Sequence, residues 1–396
     1  MSESQSVVEL TGSPEDVRTV LQEAKPIQRA KLPNGAPVWL VTKHAEVREV
    51  LSDPRLLVKD KVDWFDQGLL SPHVRNAMNT SMLRVDPPDH TRMRKLVNKV
   101  FVPRRIEAMR PRIQQLAAEL LDRLDGDGGR ADLVADYAGL LPVQVICELL
   151  GIPAQDQTNY REWADAFTAG IGAPVFPVRE VTEFVEHLRE LVERRRAEPD
   201  DALLSALIAA RDQTGEISED ELISTAYLFI VAGYETATNL IDSGLHLLLS
   251  DPARADRVRA DPRELGPAIE EFLRFESPAT SAAPRIASCP MKLFGAEVAE
   301  GEMIMVSLRA ANHDPEVFDA PNEFRMDRES NPHLAFGHGI HFCIGAPLAR
   351  IESEIAIGQF LNRFPKARLS VAPEDAPWRA GILTWGLSSL QVELHG

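Results

Sequence analysis

The residues of this chain that could do chemistry lie in two short runs. The first is Phe336-Gly337-His338-Gly339-Ile340-His341-Phe342-Cys343-Ile344-Gly345, which leads into Ala346-Pro347-Leu348-Ala349-Arg350. Its cysteine stands just ahead of an apolar segment with helical pattern, and a thiolate there is stabilised by the exposed N–H groups and the positive end of the helix dipole. The glycines let the backbone turn sharply and lie against a flat ligand, with the sulfur pointing at it. This reads as a metal-ligand loop; the plain alternative is that Cys343 is a small buried hydrophobe, as most free cysteines are. The second run is Ala232-Gly233-Tyr234-Glu235-Thr236. It puts into an apolar helical stretch a glycine, which costs about 1 kcal/mol against alanine, and a carboxylate, which is costly to bury without a partner. Such costs point to function. The plain alternative has Thr236 bonded back to a carbonyl one turn earlier and Glu235 facing water.

Both runs need elements to aim them. Ser218 and, three residues on, Glu221 form a capping box, and the helical pattern then runs to about Ser250, where Asp251-Pro252 stops it. Some thirty residues make a helix of roughly 45 Å. Apolar nearly all round in its middle third, it is expected to pass through the centre of the molecule. Apolar residues at three and four spacing predict further helices at Ala45–Leu51, Arg104–Leu124, Leu140–Leu150, Val178–Arg196 and Leu203–Ala210. Strands are expected at Val38–Val41, Glu302–Val306 and Leu390–Leu394. The fold class is therefore mainly α with small β-sheets.

Composition narrows the function classes. The N-terminal segment, with Glu3, Glu15, Asp16 and Glu23, has no long apolar run, and the most apolar stretch, 226–233, is too short to span a bilayer. Three scattered cysteines, Cys147, Cys289 and Cys343, build no disulfide framework, so a cytoplasmic protein is expected. The net charge of −17 disfavours nucleic acid and anionic membranes as partners. Against that background Arg92, Arg94, Lys95, Lys99, Arg104 and Arg105 form a run without a single acid, either a solvated face or a site for an anionic partner.

The loop at Cys343 resembles the cytochrome P-450 family of haem-thiolate monooxygenases. Their signature, Phe-x-x-Gly-x-(Arg or His)-x-Cys-x-Gly, is matched at every position from Phe336 to Gly345. The family also carries a small residue, Gly, any residue, an acid and Thr in the helix that crosses over the haem, as 232–236 do here. The resemblance implies one domain over 1–396, with the cytochrome P-450 fold and its long central helix over a buried haem b. Cys343 is then the axial ligand of the haem iron, with Phe336 in the loop beside it. Glu235 and Thr236 become a proton relay to oxygen, Gly233 leaves room for O2, and Leu228, Phe229 and Ala232, on the same helix face, line the substrate cavity. His90, Arg94, Arg285 and His341 stand at positions that hold the two haem propionates. Glu271-x-x-Arg274, by spacing only an i,i+3 pair, becomes a buried motif joined by Arg328. Two positions depart from the pattern: Arg325, where the family most often has Asp, and His313, where Arg is commoner.

The family's variable recognition segments correspond to Lys61–Met82, Phe167–Val181, Ala279–Ala283 and Gly381–Gly386. Trp64, Phe65, Phe167, Phe176, Ile382 and Leu383 in or near them suggest an apolar pocket. The expected reaction inserts one oxygen atom from O2 into an apolar small molecule, as a tailoring step in secondary metabolism. The alternative uses the same oxidant for C–C or C–N coupling or ring formation; a haem-thiolate gas sensor has no need of a relay such as Glu235-Thr236. The chain has no flavin or iron–sulfur motif, so electrons are expected from NAD(P)H through a ferredoxin reductase and a small acidic ferredoxin. A monomer is expected.

Overall fold

The capping box forms as its spacing dictates: Ser218 N–H donates to Glu221 Oε2 at 2.7 Å, and Glu221 N–H to Ser218 Oγ at 3.2 Å. It starts a helix of 31 residues, Glu219–Leu249. Asp251 then caps the next helix, Pro252–Ala260, by accepting from Ala253 N–H. This is a computed structural model that describes residues 8–10, 25–58, 69–126, 128–170, 175–379 and 381–396; Trp64 and Phe65, expected in the pocket, lie outside them, as does most of the N-terminal acidic segment. Four other expected helices form with ends shifted by a few residues, His44–Ser52, Leu141–Leu150, Val178–Ala197 and Leu203–Thr214. The fifth does not. The pattern over Arg104–Leu124 is two helices, Pro103–Ala108 and Arg110–Asp125, because Pro111 has no N–H to give the carbonyl four residues back.

The expected strands are Pro37–Val41, Met303–Val306 and Gln391–Glu393. Pro37–Val41 runs antiparallel to Ile27–Lys31 and parallel to Met303–Val306, with Trp39 opposite Ile304. These belong to a six-stranded sheet that Arg285–Ala287, Leu56–Leu57 and Val8–Glu9 complete. Trp39, Val41, Val47, Val50, Leu51 and Ile304 share one buried cluster, so the sheet packs under the helix His44–Ser52. Each such side chain contributes about 1.5–3 kcal/mol by leaving water.

The chain, read as one domain, divides into two compact units. One comprises Met1–Leu57, Pro111–Leu141 and Glu235–Gly396; the other comprises Val58–Arg110 and Pro142–Tyr234. Every strand of the described residues is in the first, and the second is helical. The division falls inside the long helix, between Tyr234 and Glu235.

The first unit contains the Glu271 motif. Glu271 and Arg274 side chains are 1% and 0% exposed and pair at 2.7 Å; Arg328 Nε reaches the same carboxylate at 3.1 Å. All five N–H groups of Arg274 are used: Nε and one from Nη2 go to Glu271, and the others to the carbonyls of Asn312, Pro321 and Glu323. Arg325 costs the motif nothing, since its backbone N–H supplies a bond to Glu271 at 3.0 Å while its side chain turns outward to Asp319. Burial, with neighbouring arginines, pushes the His313 imidazole down to about 3, so it sits neutral with Nδ1 against the Arg309 carbonyl.

Candidate active site

The cysteine loop is built against the helix His44–Ser52. Gly339, at φ 73, lies so close that a Cβ there would stand 2.6 Å from the Leu51 carbonyl oxygen. Cys343 N–H donates to Phe336 O at 2.9 Å and closes the loop; the helix Ala346–Arg363 follows, with proline in its first turn. The three cysteines differ in kind. Burial pushes the Cys147 thiol up to about 12, Cys289 packs at the edge of the sheet cluster, and Cys343 is exposed. Arg350 lies over the Phe336 ring, 4.6 Å from its centroid, and pairs bidentately with Glu270 at 2.7 and 2.8 Å. Burial alone would raise the Glu270 carboxyl, but hydrogen bonds from Arg350 and His333 hold it down at about 2. The clamp therefore fixes Phe336 from one side.

These residues fit a haem. Cys343 presents its exposed sulfur from a loop closed by its own backbone N–H, a single soft ligand that suits a metal bringing its other ligands with it. In the same unit Arg285, 3% exposed, begins the strand Arg285–Ala287 and donates to the Ala283 carbonyl at 2.6 Å. His341 ends the short turn Gly339–His341, half-buried, two residues before the cysteine. His90 and Arg94 are in the other unit, one turn apart on the helix Asp89–Val100. Burial first, then the charge of Arg94, keeps the His90 imidazole below its ordinary range.

The long helix is buried from Leu222 to Leu249 except at Leu228, Val231, Ala232, Gly233, Glu235 and Thr236. Leu228, Ala232, Glu235 and Thr236 fall on one stripe of about a third of its circumference. Phe229 departs from expectation. About 100° round the helix from Leu228, it is buried and packs on Phe101 with centroids 5.6 Å apart, so it supports the stripe from the flank. At Gly233 a Cβ would meet Ile146 Cδ1 at an ordinary 3.5 Å, so the room that this glycine leaves adjoins Ile146.

Past Thr236 the same stripe turns polar, and the segment 373–387 lies along it. Thr384 Oγ1 donates to Glu235 Oε1 at 2.9 Å, and Arg379 Nη1 stands 3.8 Å from the same oxygen. Arg379 also donates to Asn239 Oδ1, and His246 Nε2–H to the Pro373 carbonyl at 3.1 Å. Gly386 crosses the helix so closely that a Cβ would overlap the Asn239 side chain, 2.1 Å from its oxygen. Burial pushes the Asp242 carboxyl well above the usual range despite bonds from Ser243 and the Leu387 N–H, and the fully buried Glu352 is raised likewise. Sequence reasoning found Glu235 and missed Thr384, Arg379, Asn239, Asp242 and His246. Ile382 and Leu383, half-buried, directly precede Thr384.

The basic run is partly consumed by acids. Arg92 forks onto Glu221, with Nη1 3.0 Å from Oε2, and also meets Asp89; Arg105 donates to the Asp201 carbonyl. Lys99 is 3.8 Å from Glu216. Lys95 and Arg104 remain exposed.

No helix among the described residues is long and apolar enough to cross a membrane. The sequence profile of the cytochrome P-450 family matches residues 177–389. The chain is 40% identical over 390 residues to 6-deoxyerythronolide B hydroxylase of Saccharopolyspora erythraea, covering 95% of each. Among solved structures, the tirandamycin C-bound monooxygenase TamI matches with a TM-score of 0.88 and 39% identity, over 98% of this chain and 100% of that one. CxnD, an enzyme for C–S bond formation in chuangxinmycin biosynthesis, matches with a TM-score of 0.88 and 34% identity, over 100% of this chain and 98% of that one. The fold, the loop around an exposed cysteine and these likenesses agree: the chain belongs to the cytochrome P-450 family, the haem-thiolate monooxygenases that draw their electrons from redox partners.

Proposed function

We propose that this chain, acting as one catalytic domain over 1–396, inserts one oxygen atom from O2 into an apolar small molecule in a tailoring step of secondary metabolism. The observation that carries the reading is the accessible stripe on the buried long helix, apolar at Leu228 and Ala232 and ending on Glu235 and Thr236. An apolar surface of this kind holds a substrate by shape while the pair at its end handles protons. Likeness to a polyketide hydroxylase and to TamI supports the substrate class.

In this reading Cys343 would hold haem b through its thiolate. His90, Arg94, Arg285 and His341 balance its propionates, since a dianion taken out of water needs cationic or hydrogen-bonding partners. When bound, the haem supplies O2 activation, which the thiolate favours by donating electron density. The chain does the rest. Each turnover consumes two electrons and two protons, one oxygen atom going to substrate and the other leaving as water, so two protons must be delivered to the site. Thr236 and Glu235 deliver them, while Leu228, Ala232, Ile382 and Leu383 hold the substrate, with Phe229 beside Leu228 on the helix. Thr236→Ala and Glu235→Gln should bind substrate like wild type but turn NAD(P)H consumption into hydrogen peroxide, with product falling about a hundredfold. Peroxide and product are measured together, on a panel of polyketides and peptide-derived scaffolds that includes 6-deoxyerythronolide B and tirandamycin C. Unchanged coupling in both variants would remove the pair from the mechanism.

The likeness to CxnD favours a second reading, oxidative bond formation without oxygen insertion. Turnover under 18O2 separates them: a labelled product supports insertion, and an unlabelled coupled product the alternative.

Electrons come from NAD(P)H through a reductase and a small acidic ferredoxin to this chain, a cytoplasmic monomer. The ferredoxin docks on the face bearing Lys95, Lys99 and Arg104; Arg92, tied to Glu221, is a structural residue there. Charge attraction mainly raises association rates and is screened over about 10 Å at 0.1 M salt. Lys95→Glu with Arg104→Glu should slow ferredoxin-driven turnover severalfold at low salt and leave peroxide-driven turnover unchanged. Equal loss in both assays would mean a damaged fold, and no loss in either would leave these residues as a solvated face.

A further inference from the structure

The acid Glu235 is not held by its own helix. Its Oε1 accepts a hydrogen bond from Thr384, 149 residues further along the chain. Arg379, at 3.8 Å, is close enough to attract that oxygen but too far to hydrogen-bond it. Glu235 is thus aimed by a loop, and the loop is tightly specified. The Ile382 carbonyl accepts both the Thr280 hydroxyl, at 2.6 Å, and the Ser281 hydroxyl, at 3.2 Å. Thr280 N–H donates to the Leu383 carbonyl at 3.0 Å, and Trp385 N–H to the Pro278 carbonyl at 2.9 Å. Trp385 Nε1 is tied to Glu276 at 3.0 Å. Four backbone-directed bonds and one side-chain bond therefore flank a single free-standing decision, where the Thr384 hydroxyl points.

We propose that Thr384 is a positioning residue for the acid Glu235, and that it couples contact at Ile382-Leu383 to proton delivery. The proposal rests on the reading of Glu235 as a proton donor. Ile382, Leu383 and Thr384 are consecutive, so a group seated on the first two steadies the hydroxyl of the third. A hydrogen bond at 2.9 Å is lost by a shift of well under 1 Å, because such bonds fade beyond about 3.5 Å. With the hydroxyl in place the carboxyl is fixed in one rotamer. Once the hydroxyl is displaced, Glu235 is left to the longer-range pull of Arg379 and leaves the rotamer in which it serves Thr236, its neighbour in sequence. Contact at the loop thereby sets when the acid is available, and an enzyme whose loop is not engaged loses its electrons to peroxide, as Glu235→Gln does.

The test uses Thr384→Val, which keeps the shape and removes the hydroxyl, Thr384→Ser, which keeps the hydroxyl, and Glu235→Gln, alone and combined with Thr384→Val. All are measured in the haem-loaded enzyme with a ferredoxin and reductase, on the tightest-binding compound of the panel above. Binding is followed by calorimetry, the fold of the loop by amide exchange of 381–387, and coupling as product per NAD(P)H across pH 6 to 9. The expected result is that Thr384→Val lowers coupling roughly tenfold and displaces its pH profile, while affinity and amide exchange stay as in wild type. Thr384→Ser retains wild-type coupling, and Thr384→Val adds nothing to Glu235→Gln. Wild-type coupling in Thr384→Val beside uncoupled Glu235→Gln would overturn the proposal and leave the relay standing. Wild-type coupling in Glu235→Gln would overturn both. Altered affinity or faster amide exchange with an unmoved pH profile would make Thr384 a pocket or packing residue and also overturn it.

Discussion

Cys343→His retains part of the haem and loses monooxygenation about a thousandfold or more, which at about 1.4 kcal/mol per tenfold is roughly 4 kcal/mol of barrier. The sulfur is small, sits one bond from Cβ, and stands where a Cβ on Gly345 would be 3.7 Å away. An imidazole reaches further and is neutral. It can occupy a metal's axial position, hence the residual binding, but it cannot donate the electron density that a thiolate does. The loop should survive the change, because its closing bond runs from the backbone N–H of residue 343 to Phe336 O and because Arg350 and Glu270 hold Phe336 independently. Haem content by absorbance and product by mass spectrometry should therefore separate. Full turnover by this variant would strip Cys343 of its assignment.

The largest effect on stability is expected at Arg274. Its removal leaves Glu271, 1% exposed, with a charge that Arg328 alone must balance, and takes the Arg274 donor from the Asn312 and Pro321 carbonyls, while Glu323 keeps Arg328. Breaking a buried ion pair by deleting one partner costs about 3–5 kcal/mol, against a total stability of about 5–15 kcal/mol. Arg274→Ala should shift the urea midpoint accordingly. Arg274→Lys should recover only part of the loss, since three donors on a flexible stem cannot replace five in a planar fork. The damage should also reach the cysteine loop. Arg274 holds the Asn312 carbonyl, and the Asn312 side chain receives Leu334 N–H at 2.6 Å, two residues before Phe336. Haem should thus dissociate before the whole chain unfolds; an Arg274→Ala protein within 1 kcal/mol of wild type would show the motif to be expendable.

What could be read from the sequence was local. The capping box at Ser218 and the cysteine loop each state their geometry within ten residues. The Glu271–Arg274 spacing alone describes an ordinary surface pair, and only the resemblance placed it in the interior. Where periodicity misled, it did so because it is blind to chain breaks and to the last 100° of rotation: it ran through Pro111, and it put Phe229 on the stripe instead of beside it. The basic run looked unopposed because its acids, Glu216 and Glu221, come more than 110 residues later. The polar stripe Glu235, Asn239, Asp242, His246 has a legible helical spacing, yet what it faces is an irregular segment with almost no strand of its own. No period marks such a partner, and contacts between hydroxyls, carbonyls and a crossing glycine leave no signal until the fold is known.

Pro37–Val41 has Ile27–Lys31 on one edge, but its other edge pairs with Met303–Val306, where Trp39 lies opposite Ile304 about 265 residues later. On a ribosome adding about 5–20 residues per second, that edge waits roughly a quarter of a minute to a minute for its partner. Throughout that interval an apolar strand with unpaired N–H and C=O groups is open to a neighbouring nascent chain. The yield of active enzyme in a foreign host should then respond to translation speed and to chaperones that cover the hairpin Ile27–Val41 until synthesis reaches Val306.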